Sequence, residues 1–140
     1  MVGTEFVSPW REVTQAAITR FADVTDDRQW IHVDPARAAA KSPYGGTIAH
    51  GFLSLSLISV LLREAVGHVA GVRLAVNYGL NKVRFPAPVP AGSRVRGRCT
   101  LQMAEPIDRG IQATWHVVVE RDGSAKPCCA AEWLVRYYQS

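Results

Sequence analysis

Asp27 and His32 stand five residues apart in "TDDRQWIHVD", residues 25 to 34. A carboxylate and an imidazole within hydrogen-bond reach of one site can hold a water, take its proton and return a proton to carbon. Such general acid–base work contributes roughly 10²- to 10⁴-fold. The pairing matters only if the polar turn that carries it folds back, and Trp30 and Ile31 are expected to pin that turn by burying their side chains. Further on, "TIAHGF" places His50 and Gly51 at the first turn of an apolar helix. Free backbone N–H groups at a helix N-terminus favour negative charge, and a glycine lets a ligand come close. Aimed at a thioester carbonyl, one such donor is worth on the order of 3 kcal/mol. His50 itself reads as a structural residue at the helix start, where a cation is costly. Ser56 has two readings, a hydroxyl supporting the Asp/His loop or one satisfied within a buried helix. Taken alone, "DD" in a polar loop is ordinary turn chemistry. Asp27, His32 and His50 show no recognisable metal-ligand spacing, so no metal is expected.

The elements that must position these groups follow from periodicity. Apolar residues at Val13, Ala16, Ala17, Ile18, Phe21 and Ala22 predict an amphipathic helix over Glu12 to Asp23. Asp34 as N-cap and Pro35 at the first helical position predict a short helix to about Lys41, and "PYGGT" forces a loop after it. From about His50 to Val66 the pattern is helical and apolar almost all round, so something must wrap it.

Nearly everything after that helix reads as strand. Val72, Leu74, Val76, Tyr78 and Leu80 fall on even positions but Val83 and Phe85 on odd ones, a phase flip near Gly79 that predicts a β-bulge or bend. Val95, Cys99, Leu101 and Met103 alternate with polar residues, as do Ile111, Ala113, Trp115, Val117 and Val119. "RDG" at 121 to 123 signals a hairpin and "CCAAEWLVRYY" completes the set. One long helix and about four antiparallel strands form an α+β layout. A sheet with one apolar face and a helix apolar on all sides solve each other's problem if the sheet curls around the helix, the hot-dog arrangement. Its open edges call for a second copy, so at least a dimer is expected; a helix packed flat on a monomeric sheet is the alternative.

The 140 residues suit one domain, with 48% hydrophobic and 20% charged residues. The longest apolar run, Phe52 to Leu62, is too short for a membrane span and is broken by three serines. The opening "MVGTEFVSPWREV" lacks the basic start and apolar core of a secretory signal, which argues for a cytoplasmic protein. Cys99, Cys128 and Cys129 cannot all pair and are read as reduced thiols packed as small apolar groups. A net charge of +4 suits an anionic partner. The basic "RVRGR" (Arg94 to Arg98) alternates like a strand whose Arg96 and Arg98 face water, so a solvated face is favoured over a nucleic-acid site, and the positive excess would serve a phosphate-bearing small molecule equally well.

The stretches "FADVTDDRQWIHVDPARAAAKSPYGGTIAHGFLSLSLI" and "NYGLNKVRFPAPVPAGSRV" resemble the MaoC-like (R)-specific enoyl-CoA hydratases, most closely the branch described as nodulation-protein-N-like. The resemblance covers most of the chain in order. It implies a hot-dog homodimer that adds water to trans-2-enoyl-CoA, giving (R)-3-hydroxyacyl-CoA. The family's catalytic Asp and His fall on Asp27 and His32, its oxyanion donor on Gly51, and a nearby serine on Ser56. No cofactor is implied; coenzyme A enters as part of the substrate. Its phosphates would suit Asn81, Lys82 and Arg84, just past the expected bulge, whose bland reading is a solvated strand end. The chain departs from the family's pattern at Asp26, Gln29 and Trp30, which stand where Gly, Asn and Pro are usual; chain-length preference is thereby put in question more than reaction type. Adjacent Asp26 would tend to raise the Asp27 pKa if both were desolvated. A thioesterase on the same fold and a non-catalytic acyl-CoA-binding protein are the other readings.

Overall fold

The computed structural model describes residues 1–139. Two short strands come first, β1 (Glu5–Val7) and β2 (Arg11–Glu12). They were not expected, because two or three residues are too few for an alternation to be read. Glu12 pairs with Arg94 in the sheet, so the first helix, α1 (Gln15–Thr25), starts later than predicted. Thr14 caps it, its hydroxyl accepting from the Ala17 N–H at 3.1 Å. The helix ends at Asp26, whose φ of 58° turns the chain sharply towards Asp27. Aspartate tolerates this left-handed conformation better than most residues.

Residues 30 to 33 form a single helical turn, α2 (Trp30–Val33), where a polar loop was expected. Asp34 then caps α3 (Pro35–Lys41) by accepting from the Arg37 N–H, with Pro35 leading the helix as predicted. The central helix α4 (Gly51–Val66) also has the predicted bounds. Four long strands follow: β3 (Leu74–Arg84), β4 (Arg94–Ile107), β5 (Gly110–Arg121) and β6 (Cys129–Tyr138).

All pairings are antiparallel, in the order β1-β4-β5-β6-β3 with β2 also on β4, and the sheet is not closed. Val95, Cys99, Leu101, Trp115, Val117, Val119, Trp133 and Val135 form its inner face and pack with Leu53, Ile58, Leu61 and Leu62 of α4. This is the hot-dog arrangement. The helix is wrapped on one side only: Phe52, Ser56 and Ser59 are exposed, Phe52 to 67%. Contact between helix and sheet is closest at Gly97, where an added Cβ would lie 2.9 Å from the Cβ of Leu61.

The predicted phase flip in β3 is real. Its register on β6 slips between Asn77 and Gly79 and again between Leu80 and Lys82. Val76 therefore shares the outer face with Arg136, whereas Leu80 lies opposite inward-facing Trp133. Met103 departs from expectation. A register shift between Leu101 and Met103 ends the alternation, leaving Met103 exposed instead of buried. On the outer face Arg96 and Arg98 grip the two carboxylate oxygens of Glu120 at 2.8 Å each, and Arg98 also reaches Glu5 at 2.7 Å, so much of the "RVRGR" charge is met within the sheet.

The three cysteines are free and buried. Burial pushes the Cys128 thiol up to about 11 and those of Cys99 and Cys129 up to about 12, which suits inert apolar packing. No helix among the described residues is long and apolar enough to cross a membrane.

Candidate active site

The segment just before α4 collects the candidate groups. Ile48 is bound to α2 twice: its N–H donates to the Ile31 carbonyl at 3.0 Å, and its carbonyl lies 2.7 Å from Nδ1 of His32. These backbone bonds, more than buried apolar side chains, pin the turn. Trp30 and Ile31 are only half-buried, and Arg37 covers the Trp30 ring at 4.4 Å. His32 is the buried member of the turn, 7% exposed. Because a carbonyl can only accept, Nδ1 of His32 carries the proton and Nε2 keeps a free lone pair.

Burial lowers the His32 pKa, and the neighbouring His50 adds to that; the Ile48 carbonyl and Asp27 oppose it. The ring is thus held as a neutral base. Asp27 is exposed, and its carboxylate comes within 4.8 Å of ring nitrogens of both His32 and His50. Asp26 does not form a desolvated pair with it; it is exposed and bound to Arg28.

His50 and Gln15 are site residues that sequence reasoning passed over or left as structural. His50 is 3% exposed, stacks on His32 with ring centroids 3.8 Å apart, and places Nε2 2.9 Å from the Asp27 carbonyl oxygen. The side-chain amide of Gln15 donates to the His32 carbonyl at 2.8 Å, while its oxygen accepts from the Thr47 hydroxyl. No local spacing could have marked Gln15, since its partners lie far along the chain.

Gly51 opens α4, and its N–H has no acceptor among the described residues. An added Cβ there would meet the Phe85 ring at 3.1 Å, so any other residue would push that ring back from the helix start by a few tenths of an ångström. Ser56 lies one and a half turns further on, about 7.5 Å along the axis. Its hydroxyl donates to the Phe52 carbonyl at 2.7 Å. With Leu55, Ser59, Tyr78, Leu80 and Trp133 it lines a groove of about 280 Å³ between α4 and β3. Asn81, Lys82 and Arg84 are exposed on β3, Lys82 on the outer face opposite Glu132, and Arg84 immediately before Phe85.

Asp27, His32 and His50 also have the residue types of a metal site. One nitrogen of each ring, Nδ1 of His32 and Nε2 of His50, is already turned to a backbone carbonyl, so each histidine has a single nitrogen left to offer.

A family model described as "MaoC like domain" matches residues 1–122. The chain belongs to the MaoC-like dehydratase family. The 3-hydroxyacyl-thioester dehydratase Z of Mycobacterium tuberculosis (strain H37Rv) is 56% identical over 131 residues, covering 93% of this MaoC-like chain and 85% of that protein. Nodulation protein N of Rhizobium leguminosarum bv. viciae is 45% identical over 130 residues, covering 91% and 80%. In fold, the MaoC-like chain matches the (R)-hydratase from A. caviae involved in PHA biosynthesis with a TM-score of 0.78 at 24% identity, covering 96% and 95%. The protein is thus a hot-dog dehydratase of the hydro-lyase kind.

Proposed function

We propose that this dehydratase interconverts trans-2-enoyl-CoA and (R)-3-hydroxyacyl-CoA in the cytoplasm, as a homodimer. The observation that carries the reading is His32: a buried imidazole whose Nδ1–H is fixed by Ile48, leaving Nε2 free, with the Asp27 carboxylate within 4.8 Å of the ring and the unengaged Gly51 N–H next in sequence to the stacked His50. In hydration, Asp27 and His32 hold a water; its oxygen adds to C3 of the enoyl thioester as its proton passes to the pair. The electrons of the double bond move onto the thioester oxygen, where the Gly51 N–H stabilises the enolate-like charge. Collapse of the enolate takes a proton at C2, and the pair returns to its starting state. Dehydration is the reverse.

The chemistry needs only an acid–base pair and an oxyanion donor, so coenzyme A is present as part of the substrate and no separate cofactor is required. Arg84 supports a coenzyme A phosphate contact, since the adjacent Phe85 ring lies against Gly51. Lys82 and Asn81 complete that polar strand end. The (R) configuration follows the (R)-hydratase likeness. A homodimer is supported by the unpaired outer edge of β3, which exposes Leu74, Val76 and Leu80.

The test follows the ultraviolet absorbance of a short trans-2-enoyl-CoA. Rapid decay is expected, with Asp27→Asn and His32→Ala each slower by about 10²-fold or more while still folded. Absence of decay on short and long chains alike would overturn the reading. Release of free thiol would then point to a thioesterase, and tight binding of a saturated acyl-CoA without conversion to a binding protein.

A further inference from the structure

His50 lies against both members of the proposed acid–base pair, yet the mechanism gives it no step. Its position is over-determined. The ring stacks on His32 and packs against Phe21 with centroids 5.0 Å apart. Nε2 faces the Asp27 carbonyl oxygen at 2.9 Å and must therefore carry the proton. That leaves Nδ1 as a buried lone pair with no partner among the described residues. A proton there would be a buried donor without an acceptor, beside the positive end of a helix of 16 residues. The ring is thus committed to a single hydrogen bond, and that bond goes to Asp27.

Asp27 has few other restraints. Its own N–H reaches the Thr25 hydroxyl at 3.4 Å, its neighbour Arg28 pairs only with the exposed Asp23 and Asp26, and residues 23 to 29 are all exposed. The His50 bond is the one hydrogen bond, among the described residues, that ties Asp27 to the start of α4. We propose that His50 is a positioning residue, whose Nε2–H clamps the Asp27 backbone so that the carboxylate is held against His32. An acid–base pair split between an exposed turn and a buried ring needs such a link, because a misplacement of about 1 Å can cost on the order of 10²-fold in rate.

The proposal rests on the acid–base reading of Asp27 and His32, and two variants with two readouts keep the two separable. His50→Phe keeps a ring on His32 but has no N–H; His50→Gln gives up the ring but carries an amide N–H at similar reach. Amide-hydrogen exchange over residues 26 to 31, which needs no substrate, is expected to quicken in His50→Phe and to return towards that of the unaltered protein in His50→Gln. On an enoyl thioester, kcat in His50→Phe is expected to fall by roughly 10²-fold with KM little changed, and His50→Gln to recover most of it.

Unchanged exchange and kcat in His50→Phe would overturn the proposal. So would equal losses in both variants matched by equal falls in thermal midpoint, which describe a core residue only. If the unaltered protein acts on no enoyl thioester, the proposed function fails and the exchange arm still decides the clamp. Should neither variant fold, nitrogen NMR of the unaltered protein decides it: a protonated Nε2 and bare Nδ1 on His50 support the clamp, and the opposite tautomer refutes it.

Discussion

A histidine buried neutral makes stability depend on pH in a direction that can be worked out. Folding lowers the His32 pKa, so below its unfolded value of about 6.5 the unfolded chain binds more protons than the folded one. The neutral ring's contribution is present above that value and is lost as pH falls towards the lowered folded pKa. Thermal midpoints should therefore drop on acidifying from pH 7, and the drop should flatten in His32→Leu, whatever that variant's absolute stability. An unchanged slope would show that the ring is not held neutral. The candidate residues themselves were legible as candidates, because Asp27, His32 and Gly51 sit in short segments with recognisable neighbours, and the fold brings those segments together. Their supports were not. Gln15 with Thr47 and Asp27 with His50 are brought together by tertiary folding, and a local pattern carries no trace of a contact between distant residues.

Among the elements, the helix and sheet approach each other most closely at Gly97. Gly97→Ala would press a methyl within 2.9 Å of the Leu61 Cβ, close to the helix backbone where no flexible tip can move aside. Overpacking of this kind costs on the order of 1–3 kcal/mol. Chemical denaturation should show that loss, and trimming the helix in Gly97→Ala/Leu61→Ala should cost less than the sum of the single changes. The Asp34 cap with Pro35 located α3, and periodicity located α4 and all four long strands because each spans enough residues to repeat a pattern. It missed β1 and β2, which are too short, and placed α1 too early because Val13, apolar and buried, precedes the helix instead of belonging to it. The bulge at Gly79 announced itself through a change of phase. That at Gln102 did not, since the polar residue it displaces has no apolar partner further on to reveal the slip.

Taken as a whole molecule, the chain leaves a row of apolar side chains uncovered, Leu74, Val76, Tyr78 and Leu80, along the free edge of β3, and Phe52 on the open side of α4. A long edge strand with exposed apolar side chains is a template for pairing. Val76→Lys sets a charge on that edge without touching the Asp27 and His32 turn. Size-exclusion chromatography should show a dimer for the unaltered protein and a monomer for Val76→Lys, with the far-ultraviolet circular dichroism preserved; a monomer in both cases would dismiss the edge as an interface. The curled sheet was legible from one-sided strands and an apolar helix. Its open edges were expected too, but which positions of α4 stay uncovered was not legible, because Phe52 is as apolar as the buried Leu53.

Four consecutive residues join these scales. The Ile48 carbonyl fixes the His32 ring, His50 reaches the Asp27 backbone, and Gly51 presents the free N–H. One inserted or deleted residue within this stretch would displace the helix start by about 3.5 Å relative to the Ile48 carbonyl and uncouple all three contacts together. The preceding loop, with Gly45 and Gly46 open to space, carries no such linkage. Chain length can therefore change before Thr47 at little cost, whereas from Ile48 to Gly51 the spacing itself is fixed by these contacts.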